Sequence, residues 1–169
     1  MSRGNAEQEH RAVALAAVRP ADTVLVVGSG PGVGLAEAAR LAGPRGRVIG
    51  VDPSATMREM AARHCPAAEV RAGTAEHTGC AQSEVDAVVS VNNVMLWDLP
   101  AGLAELHRVL KPGGRLVIAA HRHVLRQSFV ELARSIESAG FEIRQLNSRK
   151  RRANSDAVVV LAVRPQAAE

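Results

Sequence analysis

The stretch Val24-Leu25-Val26-Val27-Gly28-Ser29-Gly30-Pro31-Gly32-Val33-Gly34 constrains this chain more than any other. A run of β-branched and aliphatic residues breaks into alternating glycines. The helical pattern Leu35 to Leu41 follows at once. A strand, a glycine loop and a helix in that order bring backbone N–H groups and a helix N-terminus to one place. A ligand can approach the main chain there because no Cβ stands in the way. The spacing is GxGxG, from Gly28, Gly30 and Gly32. A dinucleotide fingerprint, GxGxxG, would need glycine at Val33 or at Leu35, and neither fits.

The rest of the chain alternates strands with amphipathic helices. Asn5 to Val18 reads as a helix capped by Asn5, with Gln8 three residues on and Pro20 ending it. Thr23 to Val27 and Arg47 to Val51 are buried strands, the helix between them stopping at Gly43-Pro44. Ser54 caps a helix bearing Met57, Met60, Ala61 and His64. Glu69 to Ala72 is a short strand, and Val85 to Val91 is an almost wholly apolar one. Asp98 and Pro100 open a helix with Leu99, Leu103, Leu106 and Leu110 at helical spacing, stopped by Lys111-Pro112-Gly113-Gly114. Arg115 to Ala120 is the next strand. Ser128 caps a helix with Phe129, Leu132, Ala133 and Ile136 inward, ended by Gly140. Phe141 to Leu146 and Ala157 to Val163 are the last strands.

Continuous apolar strands alternating with helices indicate a parallel sheet covered on both faces, a doubly wound α/β fold. With no helix between the last two strands, the final one should run antiparallel. The expected architecture is one Rossmann-like seven-stranded sheet of order 3-2-1-4-5-7-6. An N-terminal helical segment (1–20) precedes a ligand-binding domain (21–169), and 169 residues suit one domain.

At this point the sequence resembles the class I S-adenosylmethionine-dependent methyltransferases, over about Thr23 to Val163. Val24 to Gly32 resembles the family's first motif. Val48-Ile49-Gly50-Val51-Asp52-Pro53-Ser54, with Met57 beyond it, resembles the second. Gly73-Thr74-Ala75-Glu76 falls where the family contacts adenine. Asp86-Ala87-Val88-Val89-Ser90 is similar to the fourth-strand motif. Leu106-His107-Arg108-Val109-Leu110-Lys111-Pro112-Gly113-Gly114-Arg115-Leu116 resembles the segment that follows it.

The resemblance implies S-adenosyl-L-methionine as cofactor and a set of roles. Gly28, Ser29 and Gly30 lie under its methionine part, and Gly32 of the same loop is a further cofactor-binding position. Asp52 accepts hydrogen bonds from both ribose hydroxyls, since a carboxylate offers two acceptor oxygens. Pro53 and Met57 pack on the adenine, Thr74, Ala75 and Glu76 meet its edge, and Asn92 sits near the methionine end. Asn93 orients an acceptor, His121 and His123 are the candidate bases, His77 is a lesser one, and Trp97 walls the pocket. No metal is expected.

Two positions depart from the family's pattern. An acid usually stands two residues before the first glycine, where this chain has Val26. An Asp often meets the adenine amino group where this chain has Thr74. Each charged hydrogen bond so lost costs on the order of 1.5–3 kcal/mol when nothing replaces it. Glu76 is the candidate replacement at the adenine.

Three functional readings follow: a bacterial methyltransferase acting on a small-molecule acceptor, a non-catalytic cofactor-binding or regulatory protein on the same fold, and an RNA or DNA methyltransferase. The net charge of +4 and a pI of about 10.0 suit an anionic partner. The basic run Arg149-Lys150-Arg151-Arg152, with His121, Arg122, His123 and Arg126, is expected on the edge that carries the site. Aromatics are only 2% of the chain, so base-stacking platforms are scarce and the nucleic-acid reading ranks low. Additions to the core are minimal, so the site is either open or completed by a partner, a second copy of the chain included. No apolar run reaches the roughly 20 residues of a membrane span. Cys65 and Cys80 lack CxxC spacing, and a reducing cytosol is the expected setting.

Overall fold

The computed structural model describes residues 3–149 and 157–166, the side chains of Arg3 and Arg149 excepted. Seven strands form one sheet: β1 (Thr23–Val27), β2 (Arg47–Val51), β3 (Glu69–Arg71), β4 (Val85–Val91), β5 (Leu110–His121), β6 (Glu142–Arg149) and β7 (Ala157–Val163). Their order is β3-β2-β1-β4-β5-β7-β6, as expected from the sequence. The pairs from β3 through β5 are parallel. β7 is antiparallel to both neighbours, so β6 points the same way as β1 to β5. Among the described residues five α-helices flank the sheet: α1 (Arg3–Leu15), α2 (Val33–Ala42), α3 (Ala55–His64), α4 (Leu99–Val109) and α5 (Phe129–Ser138).

Alternation along each strand divides the core between the two sheet faces. Leu25, Val27, Val88, Ile118 and Val160 face the α4 and α5 side, with Leu103, Leu106, Leu132 and Ile136. Val24, Val26, Val89, Val117 and Ala119 face the α1 and α2 side, with Val13, Leu35, Ala38 and Ala61. The N-terminal helix shares this second core: Ala12, Val13 and Ala16 are at most 1% exposed. A helix repeats its face at steps of three and four. Asn5, Gln8 and Glu9 therefore lie on the same face as Ala12, Val13 and Ala16, one or two turns nearer the helix start.

Several boundaries differ from expectation for local reasons. α1 spans Arg3–Leu15, so Asn5 lies inside it rather than capping it. The chain turns out of α1 through Ala17 at φ +48°, ahead of Pro20. Lys111-Pro112-Gly113-Gly114 belongs to the start of β5 as an irregularity. Leu110 pairs with Val85 and Arg115 with Ala87, so the intervening residues loop out of register. Gly113, at φ +78°, donates its N–H to Arg164 and ties that excursion to the chain after β7. β7 is apolar throughout but alternates buried and half-buried residues: Val158, Val160 and Ala162 lie in the α4 and α5 core, while Val159 and Leu161 pack only partly against the other core. β6 runs to Arg149, past the expected Leu146, because it pairs with β7 along its length. β3 stops one residue short, at Arg71.

The caps at Ser54, Asp98 and Ser128 are formed. Ser128 accepts from the N–H of Glu131, whose carboxylate accepts from the N–H of Ser128 in return. Ser128→Ala removes one side of this box. It should lower the free energy of unfolding by about 1 kcal/mol, read from urea denaturation.

Candidate functional site

The carboxyl ends of β1, β2, β4 and β5 converge at the glycine loop. The N–H groups of Gly28 and Ser29 both donate to Val51 O, at 2.8 and 3.1 Å, which anchors the loop to the end of β2. Gly28, Gly30 and Gly32 have φ of +66°, +52° and +99°, backbone that L side chains rarely adopt. A Cβ on Gly30 would meet no atom within 4 Å, so the main chain there faces open space.

Asp52 follows β2 and closes on this loop. Its Oδ2 accepts from Gly30 N–H at 3.0 Å and its Oδ1 from Ser54 N–H at 2.9 Å. The residue is 7% exposed. A carboxylate has about four lone-pair sites, so two remain for a ligand. Pro53 is exposed and Met57 half-buried just beyond it. Arg58 holds this turn by donating to the carbonyls of Asp52 and Pro53. Two buried hydroxyls at the same edge, Ser29 Oγ and Ser90 Oγ, have no hydrogen-bond partner among the described residues.

In the segment after β3, Thr74 and His77 exchange backbone hydrogen bonds in a tight turn. Ala75 is buried, with its Cβ near Gly102 of α4. Glu76 Oε1 accepts from Asp98 N–H at 2.6 Å, so one of its oxygens is committed to the entrance of α4.

Past β4, Asn92 and Asn93 take separate tasks. Asn92 has φ +52°. Its Nδ2 donates to Gln8 Oε1 and its Oδ1 accepts from His121 N–H, both at 2.9 Å. Its amide thus fastens α1 to β5. The Asn93 amide lies directly on Gly28: a Cβ added there would fall 2.3 Å from Nδ2. Trp97 Nε1 donates to Asn93 Oδ1 at 2.7 Å and fixes that amide over the loop. Trp97 also lines a cleft of about 50 Å³ with Met95, Leu99, Leu125 and Arg126.

His121 ends β5. Its Nε2 lies 3.5 Å from Asn5 Oδ1, and its ring stacks on that of His123 at 5.6 Å between centroids. His121 is half-buried and His123 exposed. Arg149 and His121 both pair with Ala157, so the backbone end of β6 reaches this same edge. The remainder of the basic run, 150–152, lies outside the described residues.

The N-terminal helix supplies residues that spacing did not reveal. Asn5, Gln8 and Glu9 meet His121, Asn92 and Gly34 respectively. Glu9 Oε2 accepts from Gly34 N–H at 2.6 Å. Burial pushes the Glu9 carboxyl above the ordinary glutamate value, opposed by the Gly34 hydrogen bond and by His10 and His64. The sequence signal for Asn5, Gln8 and Glu9 is helical periodicity, which places all three on one face of α1.

Comparison with known proteins agrees with this fold. Residues 24–114 match the family model described as a methyltransferase domain. The chain is 38% identical over 120 residues to an uncharacterised 37.1 kDa protein of transposon Tn4556 from Streptomyces fradiae, covering 68% of this chain and 35% of that one. It is 38% identical over 128 residues to the demethylmenaquinone methyltransferase of Symbiobacterium thermophilum, covering 69% of this chain and 50% of that one. The chain therefore spans half or less of these two relatives. The crystal structure of a SAM-dependent methyltransferase from Aquifex aeolicus superposes with a TM-score of 0.82 at 20% identity, covering 96% and 94% of the two chains. With its strand order, its glycine loop and the Asp52 clamp, the chain belongs to the class I S-adenosylmethionine-dependent methyltransferases.

Proposed function

We propose that this protein transfers a methyl group from S-adenosylmethionine to a small acceptor with an apolar body and an acidic group. The fit of the cofactor rests on the chain's own features: open main chain at Gly30, acceptor sites left on Asp52, and unpartnered hydroxyls at Ser29 and Ser90. When bound, the cofactor supplies a methyl group already activated on a sulfonium, so the protein need not provide strong nucleophilic help. Its task is alignment and exclusion of water.

Gly28, Ser29 and Gly30 cradle the methionine part, Gly32 turns the loop into α2 against α3, and Asp52 holds the ribose hydroxyls. Pro53 and Met57 cover the adenine, with Thr74, Ala75 and Glu76 at its rim. Asn93 presents its amide to the acceptor. His121 or His123 takes a proton from an acceptor heteroatom that needs to lose one. A cytosolic setting suits the free, buried Cys65 and Cys80.

The observation that carries the small-acceptor reading is the cleft beside Trp97. It is apolar, of about 50 Å³, and bears one cation, Arg126. It shares Trp97 with the amide that covers Gly28. A cleft of that size takes a small apolar group of the acceptor, with the rest of it lying outside. The test is methyl transfer from labelled cofactor to a panel of small apolar acids, phenols, amines and thiols, with tRNA and DNA alongside. Turnover of a small acidic acceptor is expected, and Arg126→Gln should raise its KM several-fold with little change in kcat. Labelling of nucleic acid with no small acceptor turned over would overturn the reading.

A further inference from the structure

The glycine loop presents N–H groups and a helix N-terminus, which suit a carboxylate or hydroxyl but not a cation. The cofactor's amino-acid end carries an ammonium as well as a carboxylate. Main-chain carbonyls can accept the ammonium's hydrogen bonds, but a full counter-charge can come only from a side chain. Among the described residues, two carboxylates hydrogen-bond N–H groups of the 28–34 segment: Asp52 at Gly30 and Glu9 at Gly34. Asp52 stands at the end of β2, on the ribose side.

Glu9 stands beside Val26. A Cβ built on Gly34 would lie 3.0 Å from Glu9 Oε2 and 3.8 Å from Val26 Cγ1. Val26 points to the α1 and α2 face of the sheet, so a longer acidic side chain there would enter the space that the Glu9 carboxylate fills. Glu9 Oε1 has no hydrogen-bond partner among the described residues. We propose that Glu9, from α1, is the counter-ion for the cofactor's α-ammonium group and replaces the acid absent at Val26.

Two further facts agree. Asn5 and Gln8, on the same helical face, reach His121 and Asn92 at the carboxyl edge, so this end of α1 is part of the site wall. Burial raises the Glu9 carboxyl, a cost that a neutral glutamine staple would avoid and that a bound cation offsets.

Glu9→Gln is the decisive variant, because its amide oxygen still accepts from Gly34 N–H. Calorimetry would compare adenosylhomocysteine, which carries the ammonium, with 5′-methylthioadenosine, which lacks the amino-acid end. Glu9→Gln should weaken adenosylhomocysteine roughly 10- to 100-fold and leave methylthioadenosine within about twofold. Its melting temperature at pH 7 should equal or exceed that of the wild type. Val26→Asp paired with Glu9→Ala, which vacates that space, should recover affinity for adenosylhomocysteine alone relative to Glu9→Ala. Equal losses for both ligands would mark Glu9 as a structural staple only. That result, or unchanged adenosylhomocysteine affinity, would overturn the proposal.

Discussion

Asp52→Ala is expected to weaken adenosylhomocysteine binding by at least about 100-fold, with little methyl transfer surviving at ordinary cofactor concentrations. Two effects add. The ribose loses hydrogen bonds to a charged acceptor, each worth on the order of 1.5–3 kcal/mol. The N–H groups of Gly30 and Ser54 also lose their common acceptor, which frees the glycine loop from the entrance of α3. Asp52→Asn separates the two. One oxygen remains to accept from one N–H, while the amide nitrogen faces the other N–H as a donor. It should therefore bind more weakly than the wild type and better than Asp52→Ala. Calorimetry with adenosylhomocysteine, beside thermal melting of the free protein, reads both parts. Wild-type affinity in Asp52→Ala would remove Asp52 from the cofactor site.

The features legible in sequence were those written in short range. β1, β2, β4 and β7 fall where their apolar runs do, because a buried strand must be continuously apolar or strictly alternating. Ser54, Asp98 and Ser128 declared their helices because a side-chain oxygen must meet an N–H three residues on. Asp52 stood out in the sequence through the resemblance of Val48 to Ser54 to a family motif, and the structure sets its carboxylate on Gly30 N–H. What stayed hidden is what the fold brings together across long separations. Glu9 reaches Gly34 over 25 residues, and Gln8 reaches Asn92 over 84. Helical periodicity places Gln8 and Glu9 on one face but cannot say what lies opposite. The expected stop at Lys111 to Gly114 failed for a related reason. Proline and glycine do break α4, but pairing with β4 and the bond to Arg164 draw the same residues into β5. Glu76 shows the limit of a charge read by position, since the start of α4 claims one of its oxygens.

The glycines of one motif should separate into ligand glycines and folding glycines. Gly30→Ala places a methyl group in open space, at φ +52°, within the left-handed region. Its cost to stability should be only about 1 kcal/mol. The methyl group stands where the main chain must admit a ligand, so adenosylhomocysteine affinity should fall by an order of magnitude or more. Gly32→Ala differs on both counts. At φ +99° it lies outside the usual left-handed region, and its Cβ would fall 2.9 Å from Ala61 Cα. That atom belongs to the backbone of α3, which cannot swing aside as a side-chain tip can. The loop and α3 must part, and strain at such a position adds roughly 1–3 kcal/mol. Gly32→Ala should therefore unfold at much lower urea, by about 3 kcal/mol or more, through loss of packing between α2 and α3. Denaturation and calorimetry on the two variants give opposite rankings if this division is right. A Gly30→Ala protein that binds normally, or a Gly32→Ala protein as stable as the wild type, would contradict it.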